Sequence, residues 1–284
     1  MQREVVGEEK SSLREQLRNC SAETSLRASS SAICREKVEF IPIKGLPIIK
    51  KGDDIAKLIV ERATLEEGDI IVICSTIVAK AEGRVRKLSD YKPSPLAFEL
   101  SAKVGKPPEF VQAVIEESEE ILIKGPFLLV KAKYGNICVN AGIDASNIEK
   151  GSIILPLVDP DQSAERLRKR IEELTGKKVG IIITDTNGRC FRKGVVGVAV
   201  GISGLWAMRD WRGISDLYGN VLEVTVECIA DEIAGFANLL MGEANDAIPA
   251  VLVRGLKVLG NGKVKDIYRS EEEDLIRRCL KKCF

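Results

Sequence analysis

Asp185 and Thr186 close an apolar run, Val179-Gly180-Ile181-Ile182-Ile183-Thr184, in a chain of 284 residues that contains no histidine. The usual general base and the usual nitrogen ligand for metals are therefore both missing. Chemistry here must run on carboxylates, hydroxyls, amides, thiols and cations. A carboxylate followed by a hydroxyl at the end of a strand suits a hard cation such as Mg²⁺ or Mn²⁺, and strand ends are where open α/β sheets bind ligands. Two readings of Asp185-Thr186-Asn187-Gly188-Arg189 stand at this point. One is a metal–phosphate site, with Asp185 as a ligand, Thr186 supplying an oxygen to a second ion, and Arg189 on a phosphate or carboxylate. The other is an Asx-type turn with an Asn-Gly corner. A Walker B element is excluded, because Gly255–Lys263 has neither the spacing nor the following Ser/Thr of a phosphate loop.

Three further segments carry residues of the same chemistry. Asn140-Ala141-Gly142-Ile143-Asp144-Ala145-Ser146-Asn147 follows a short apolar run and sets a carboxylate three residues before an amide. Asp144 could share an ion with Asp185, since a divalent cation wants converging oxygens, and Asn147 could meet a base or phosphate; a capped helix start explains the pattern equally well. In Ser75-Thr76-Ile77-Val78-Ala79-Lys80 a strand yields to a helix whose first N–H groups attract phosphate, and Lys80 shares a helical face with Thr76. An N-cap with a solvated lysine is the alternative. Met241-Gly242-Glu243-Ala244-Asn245-Asp246-Ala247-Ile248 is a polar loop in which Glu243 is either another ligand or part of a solvated helix end. Gly194, Gly197, Gly201 and Gly204 lack dinucleotide-fold spacing and read as close-packing positions.

Alternating and helical periods supply the elements that must hold these segments. Strands are expected over Val38–Ile43, Asp69–Ser75, Glu120–Ile123, Phe127–Lys133, Asn136–Val139, Val179–Thr184 and Val195–Ile202. Helices fit Asp53–Ala63, Ser94–Val104, Glu109–Ser118, Asp161–Leu174 and Ser270–Cys279. The Leu222, Val226, Ile229, Ile233, Phe236, Leu240 stripe predicts one long helix ending near Gly242. The class is α+β, with mixed and antiparallel sheets flanked by helices. Residues 1–37 are charged and serine-rich and read as a disordered tail or an over-long start, leaving 38–284 as the folded unit.

Composition narrows the partners. Lys and Arg number 43 against 42 Asp and Glu, a formal charge of +1, so no global field draws the chain to nucleic acid or an anionic membrane. Hydrophobic residues make up 45 % of the chain and the mean hydropathy is +0.00, as in ordinary globular proteins. None of the eight cysteines is spaced as CxxC, and they read as reduced packing thiols in a cytoplasmic protein. Cys190, beside Arg189 and Arg192, is the one whose thiol neighbouring cations could activate, with a packing residue as the favoured reading.

Taken together, Gly45-Leu46-Pro47, Ser75-Thr76…Lys80-Ala81-Glu82-Gly83, Asn140-Ala141-Gly142-Ile143-Asp144…Asn147, Asp185-Thr186…Gly188-Arg189 and Met241-Gly242-Glu243 with Arg254-Gly255 resemble the coenzyme F420-0:γ-glutamyl ligase family, over about residues 38–284. The resemblance implies a two-lobed, homodimeric, cytoplasmic enzyme. It would use GTP to join L-glutamate to the lactyl carboxylate of F420-0 through an acyl phosphate, and then add a second, γ-linked glutamate. Asp144 and Asp185 would hold one divalent ion, Mg²⁺ or Mn²⁺, with Thr186 and Glu243 on a second; K⁺ is a further implied ion. Leu46, Pro47, Ile48, Ile49, Ser75, Thr76, Lys80, Asn147 and Met241, Gly242, Glu243, Ala244, Asn245, Asp246, Ala247 and Ile248 would line the nucleotide, and Lys80 and Arg189 would offset charge on the transferring phosphoryl group. The chain departs from the family pattern at Tyr134-Gly135, where many members have His-Gly, and at Cys190-Phe191, where many have Pro-Trp. Two other readings of the same acids are a metal-dependent phosphohydrolase or nucleotidyl transferase, and a non-catalytic GTP-binding regulator.

Overall fold

The computed structural model describes residues 25–27 and 33–283. In chain order the strands are β1 (Ser25–Arg27), β2 (Cys34–Ile43), β3 (Ile70–Cys74), β4 (Val85–Lys87), β5 (Ser118–Lys124), β6 (Leu128–Ala132), β7 (Ile137–Val139), β8 (Ser152–Ile154), β9 (Gly180–Arg189), β10 (Arg192–Ser203), β11 (Met208–Asp210), β12 (Val226–Glu227) and β13 (Ala250–Leu256). The helices are α1 (Ile55–Val60), α2 (Ser75–Ala81), α3 (Pro95–Val104), α4 (Pro108–Glu117), α5 (Pro160–Thr175), α6 (Ile229–Met241) and α7 (Leu275–Cys283). The class is the mixed α+β one expected.

A five-stranded sheet in the order β10-β9-β3-β13-β2 forms the centre. Only the β3–β9 pair is parallel; the other pairs in this sheet are antiparallel. Its middle strands read as unbroken Val/Ile runs because both faces are covered. Ile71, Ile73, Ile181 and Ile183 face one core, with Ile55 and Ile59 of α1 and Ala164 and Ile171 of α5. Ile70, Val72 and Ile182 face the other, against Ile233, Ala234 and Ala237 of α6. A separate core joins Leu100 of α3, Val111 and Val114 of α4, and Leu128 and Val130 of β6. Three antiparallel strands, β5-β6-β7, back this third core.

Gly197 and Gly201 of β10 act as the spacing suggested, and Gly194 does not, since a Cβ there would meet nothing within 4 Å. A Cβ on Gly197 would meet Asn238 Cβ at 2.5 Å and the Ala234 carbonyl oxygen at 2.7 Å, and one on Gly201 would meet the Pro160 carbonyl oxygen at 2.5 Å. Hydrogen in place of a methyl lets α5 and α6 approach the strand backbone directly.

Several expected elements differ. The strand expected to stop at Thr184 continues to Arg189 and turns back into β10, so Asp185-Thr186-Asn187 lies in a hairpin and not in an Asx turn. What ends at Thr184 is its parallel neighbour, β3, whose last partner pair is Cys74–Thr184. The long helix over Leu222–Gly242 is only Ile229–Met241. Val226 pairs with Asp210 in a strand, and the Leu222 N–H donates to Ile214 O at 2.9 Å; pairing in a hairpin-like excursion overrides the apparent helical period. The expected C-terminal helix starts five residues later, at Leu275, because Ser270 and Glu273 cap each other in an isolated turn and Asp274 then receives the Arg277 N–H at 3.0 Å. β4, β8 and β13 were not anticipated. Of residues 1–37, Ser25–Arg27 pairs in parallel with Met208–Asp210, and Cys34 already pairs with Leu256. The expectation for 1–24 and 28–32 lies outside the described residues. No helix among the described residues is long and apolar enough to cross a membrane.

Candidate functional site

Asp185 sits one residue beyond the point where β3 ends, on the face of the hairpin that carries Ile181 and Ile183. That face opens into a cleft lined by Ser75, Thr76, Ala79, Tyr134, Gly142, Asp144, the wall Ile154–Leu157, Pro160, Asp185 and Val200. Its volume is about 20 Å³, ion- or water-sized. Three of the four segments singled out in the sequence therefore meet here.

Each side chain has a local reason for its place. Asp144 is fixed by a backbone bridge to β8, donating to Ile154 O at 3.1 Å and accepting from Ile154 N at 2.8 Å. Its carboxylate accepts from Ser146 N at 2.7 Å and Ser146 Oγ at 2.8 Å. No helix starts there, so the capped-helix alternative is wrong. The preceding 3-10 turn, Asn140–Gly142, needs positive φ at all three residues. At Gly142 an added Cβ would lie 3.0 Å from Tyr134 Oη and 3.6 Å from Asp185 Oδ2, which is why the smallest residue stands there.

Asp185 Oδ1 accepts from Thr186 N at 2.9 Å. Desolvation pushes its carboxyl from 3.8 to about 7, helped by the negative charges of Asp144 and Glu243 and opposed by hydrogen bonds from Thr186 N and Ser75. Burial likewise raises the Cys74 and Cys138 thiols, Cys138 to about 11, so neither is an activated nucleophile. Burial raises the Tyr134 hydroxyl well above its ordinary value as well; Cys138 Sγ is its partner at 3.6 Å.

The fourth segment joins through backbone contacts. Lys80 Nζ donates to Asn147 O at 2.6 Å, and Asn147 Nδ2 donates to Ala244 O at 3.2 Å, so α2, the Asp144 loop and the Met241–Ile248 loop are tied in series. Glu243 Oε1 accepts from Asn238 Nδ2 at 2.8 Å. Thr186 points to the opposite face from Asp185; its partner in register is Gly197, which abuts Asn238. Asp185 and Thr186 thus lie on opposite faces of the hairpin, with Asn238, the hydrogen-bond partner of Glu243, on the Thr186 side. Among the described residues no three Cys, Asp or Glu side chains form a closed metal cluster.

The Leu46–Ile49 loop lies beside α2, where Gly52 N donates to Ala81 O at 2.9 Å; Ile49 is buried and Ile48 is 84 % exposed. Arg189 is not in the cleft: four residues at ~3.3 Å each put it about 13 Å beyond Asp185 along the strand. Cys190 is exposed at the turn. The apolar wall Ile154–Leu157 and Val200 went unrecognised in the sequence, and Pro156 with Pro160 around Leu157 was its only local signal.

Known proteins share this arrangement in sequence. Residues 44–255 match the family model described as F420-0:Gamma-glutamyl ligase. A protein of Archaeoglobus fulgidus named coenzyme F420:L-glutamate ligase is 68 % identical over 247 residues, 87 % of this chain and 99 % of the relative. Proteins of the same name from Methanosarcina mazei and Methanocaldococcus jannaschii are each 48 % identical, over 250 and 246 residues, 86 % of this chain and 98 % of each relative. The matched span includes all of the cleft and both sides of the hairpin, and the chain belongs to the F420-0:γ-glutamyl ligase family, whose members are ligases.

Proposed function

We propose that this chain joins L-glutamate to the lactyl carboxylate of F420-0 with conversion of GTP to GDP and phosphate, then adds a second glutamate through a γ-linkage, as a cytoplasmic homodimer. One observation carries the reading. Two carboxylates from separate segments, Asp144 and Asp185, line one cleft, and desolvation there, with the neighbouring negative charges adding to it, raises Asp185 to about 7. Such crowding of hard oxygens fits a divalent cation. Asp144 and Asp185 would hold one divalent ion, Mg²⁺ or Mn²⁺, beside the nucleotide phosphates. Thr186 and Glu243 would supply oxygens for a second. When bound, the ions neutralise charge on the transferring phosphoryl group.

The chain's own residues orient and shield the reaction. Lys80, already held at the Asn147 carbonyl, brings a cation to the nucleotide side of the cleft. The Ile154–Leu157 wall keeps water from the activated carboxyl group. A bond forms between the lactyl carboxylate oxygen and the γ-phosphorus as the bond to the β-phosphate oxygen breaks. The free amine of glutamate then attacks the acyl carbon, the C–O bond to phosphate breaks, and the amine proton passes to the departing phosphate.

The test supplies GTP, Mn²⁺, L-glutamate and F420-0 and follows GDP and the glutamylated product together. Equal amounts of both, dependent on all four components, are expected. GTP turnover indifferent to glutamate and F420-0 would identify a hydrolase, and binding without turnover a regulator.

A further inference from the structure

The β9–β10 hairpin runs on past the end of β3, and nothing in the proposed phosphoryl-transfer chemistry requires the part beyond Thr186. Its side chains fall in a definite order. Asp185, Asn187 and Arg189 alternate onto one face, and Arg192 stands directly opposite Arg189 in register, so both guanidinium groups lie on the face that carries Asp185. Like charges directly opposed across a ladder destabilise it. Among the described residues neither arginine makes an ion pair. At the turn itself Phe191 is 97 % exposed and has φ +65, a backbone region that an aromatic residue rarely occupies. A chain in need only of a turn would place Gly or Asn there.

We propose that this ribbon is the acceptor subsite: the Arg189–Arg192 pair clasps the phosphodiester of F420-0, and Phe191 stacks on its deazaflavin ring. The inference rests on the proposed function and extends it to the substrate. In the acceptor the reacting carboxylate comes first, the phosphodiester next and the ring last. Along the hairpin the acid cluster comes first, the guanidinium pair next and the aromatic turn last. The dimensions agree. With each bond advancing about 1.25 Å, the phosphorus lies ~4 Å and the ring attachment ~12 Å from the lactyl carboxyl carbon. The ion and phosphoryl group between Asp185 and that carboxylate add a few ångströms more. Rising ~3.3 Å per residue, the strand brings Arg189 to about 13 Å and the turn to about 20 Å from Asp185. A phosphodiester between two guanidinium groups removes the like-charge repulsion, and a flat ring covers the exposed aromatic face.

Equilibrium binding to the full-length protein, without GTP or glutamate, tests this with three probes: F420-0, the deazaflavin alcohol lacking the phospholactyl arm, and 2-phospholactate. Arg192→Ala is expected to weaken F420-0 and phospholactate at least tenfold while leaving the alcohol unchanged. Phe191→Ala is expected to weaken F420-0 and the alcohol at least fivefold while leaving phospholactate unchanged, with Phe191→Trp restoring both. In turnover, both alanine variants should raise the KM for F420-0 and leave the KM for GTP unmoved. Wild-type affinities in both variants would overturn the subsite. So would loss of the three probes alike, or a change in mass in solution with binding intact, which would make the tip a contact between copies of the chain. A wild-type protein that neither binds F420-0 nor glutamylates it would instead refute the proposed function.

Discussion

Replacing Asp185 with Asn keeps the shape of the side chain and removes its charge, so it reads the electrostatic cost of the cleft directly. Burial raises the carboxyl from 3.8 to about 7. A folded-state value above the unfolded one means that the folded protein holds the proton more tightly. Its contribution is therefore fully present below about 4 and is lost as the pH rises through about 7. At ~1.4 kcal/mol per pH unit the full span is ~4 kcal/mol, of which ~2–3 kcal/mol falls between pH 5 and pH 8. In metal-free protein, Asp185→Asn should be more stable than wild type at pH 8 by ~2–4 kcal/mol, and this gain should shrink by ~2–3 kcal/mol at pH 5. Urea unfolding in EDTA at both pH values measures it, and unchanged m-values would confirm that the effect is on stability alone. Adding Mn²⁺ should then stabilise wild type by mass action and leave the variant little changed. A variant less stable than wild type at pH 8, or one whose pH dependence matches wild type, would refute the account of Asp185 as a desolvated charge awaiting a cation.

Other expectations follow from packing and pairing. Gly197→Ala should cost ~1–3 kcal/mol in urea unfolding, because its methyl would overlap Asn238 Cβ and the Ala234 carbonyl. Glu117→Gln should cost ~1–3 kcal/mol, since it leaves the part-buried Arg84 without the carboxylate 2.9 Å away. Lys80→Ala should raise the KM for GTP at least tenfold with the melting temperature within a few degrees of wild type, as the side-chain hydrogen bond it removes is to an exposed carbonyl. Deleting residues 1–24 should change neither melting temperature nor turnover, whereas deletion through Glu36 should lower the melting temperature by stripping β1 from β11 and the start of β2 from β13.

The buried strands were legible because a strand covered on both faces carries an unbroken Val/Ile run, as β3 and the first half of β9 do. Helices with a polar face, such as α5, were legible by their period and by Asp159 and Gly176 at their ends. The second half of β9 was not. Thr184-Asp185-Thr186-Asn187-Gly188 has the composition of a turn, and only its ladder to β10 makes it a strand. Leu222 and Val226 failed in the opposite sense: a helical interval arose by coincidence where the local chain pairs as strands. Of the site, the acids and hydroxyls could be singled out by type. The division of Asp185 and Thr186 onto two faces of one ribbon could not, because it follows from pleat and register. The cleft wall of Ile154–Leu157 escaped notice because apolar residues at a site look like core residues anywhere else.

The end of β3 at Cys74 divides the hairpin into a clamped root and a free arm. Asp185 stands at the root, where β9 leaves its parallel neighbour and is still gripped by two packed cores. Arg189, Phe191 and Arg192 stand on the arm, with strand pairing to each other alone. Under the proposed function, substitution at the root would disturb ions, nucleotide and core at once, while substitution on the arm would touch none of them. A chain working in that way would exchange one acceptor for another by changing three residues at the tip and keep its phosphoryl chemistry intact.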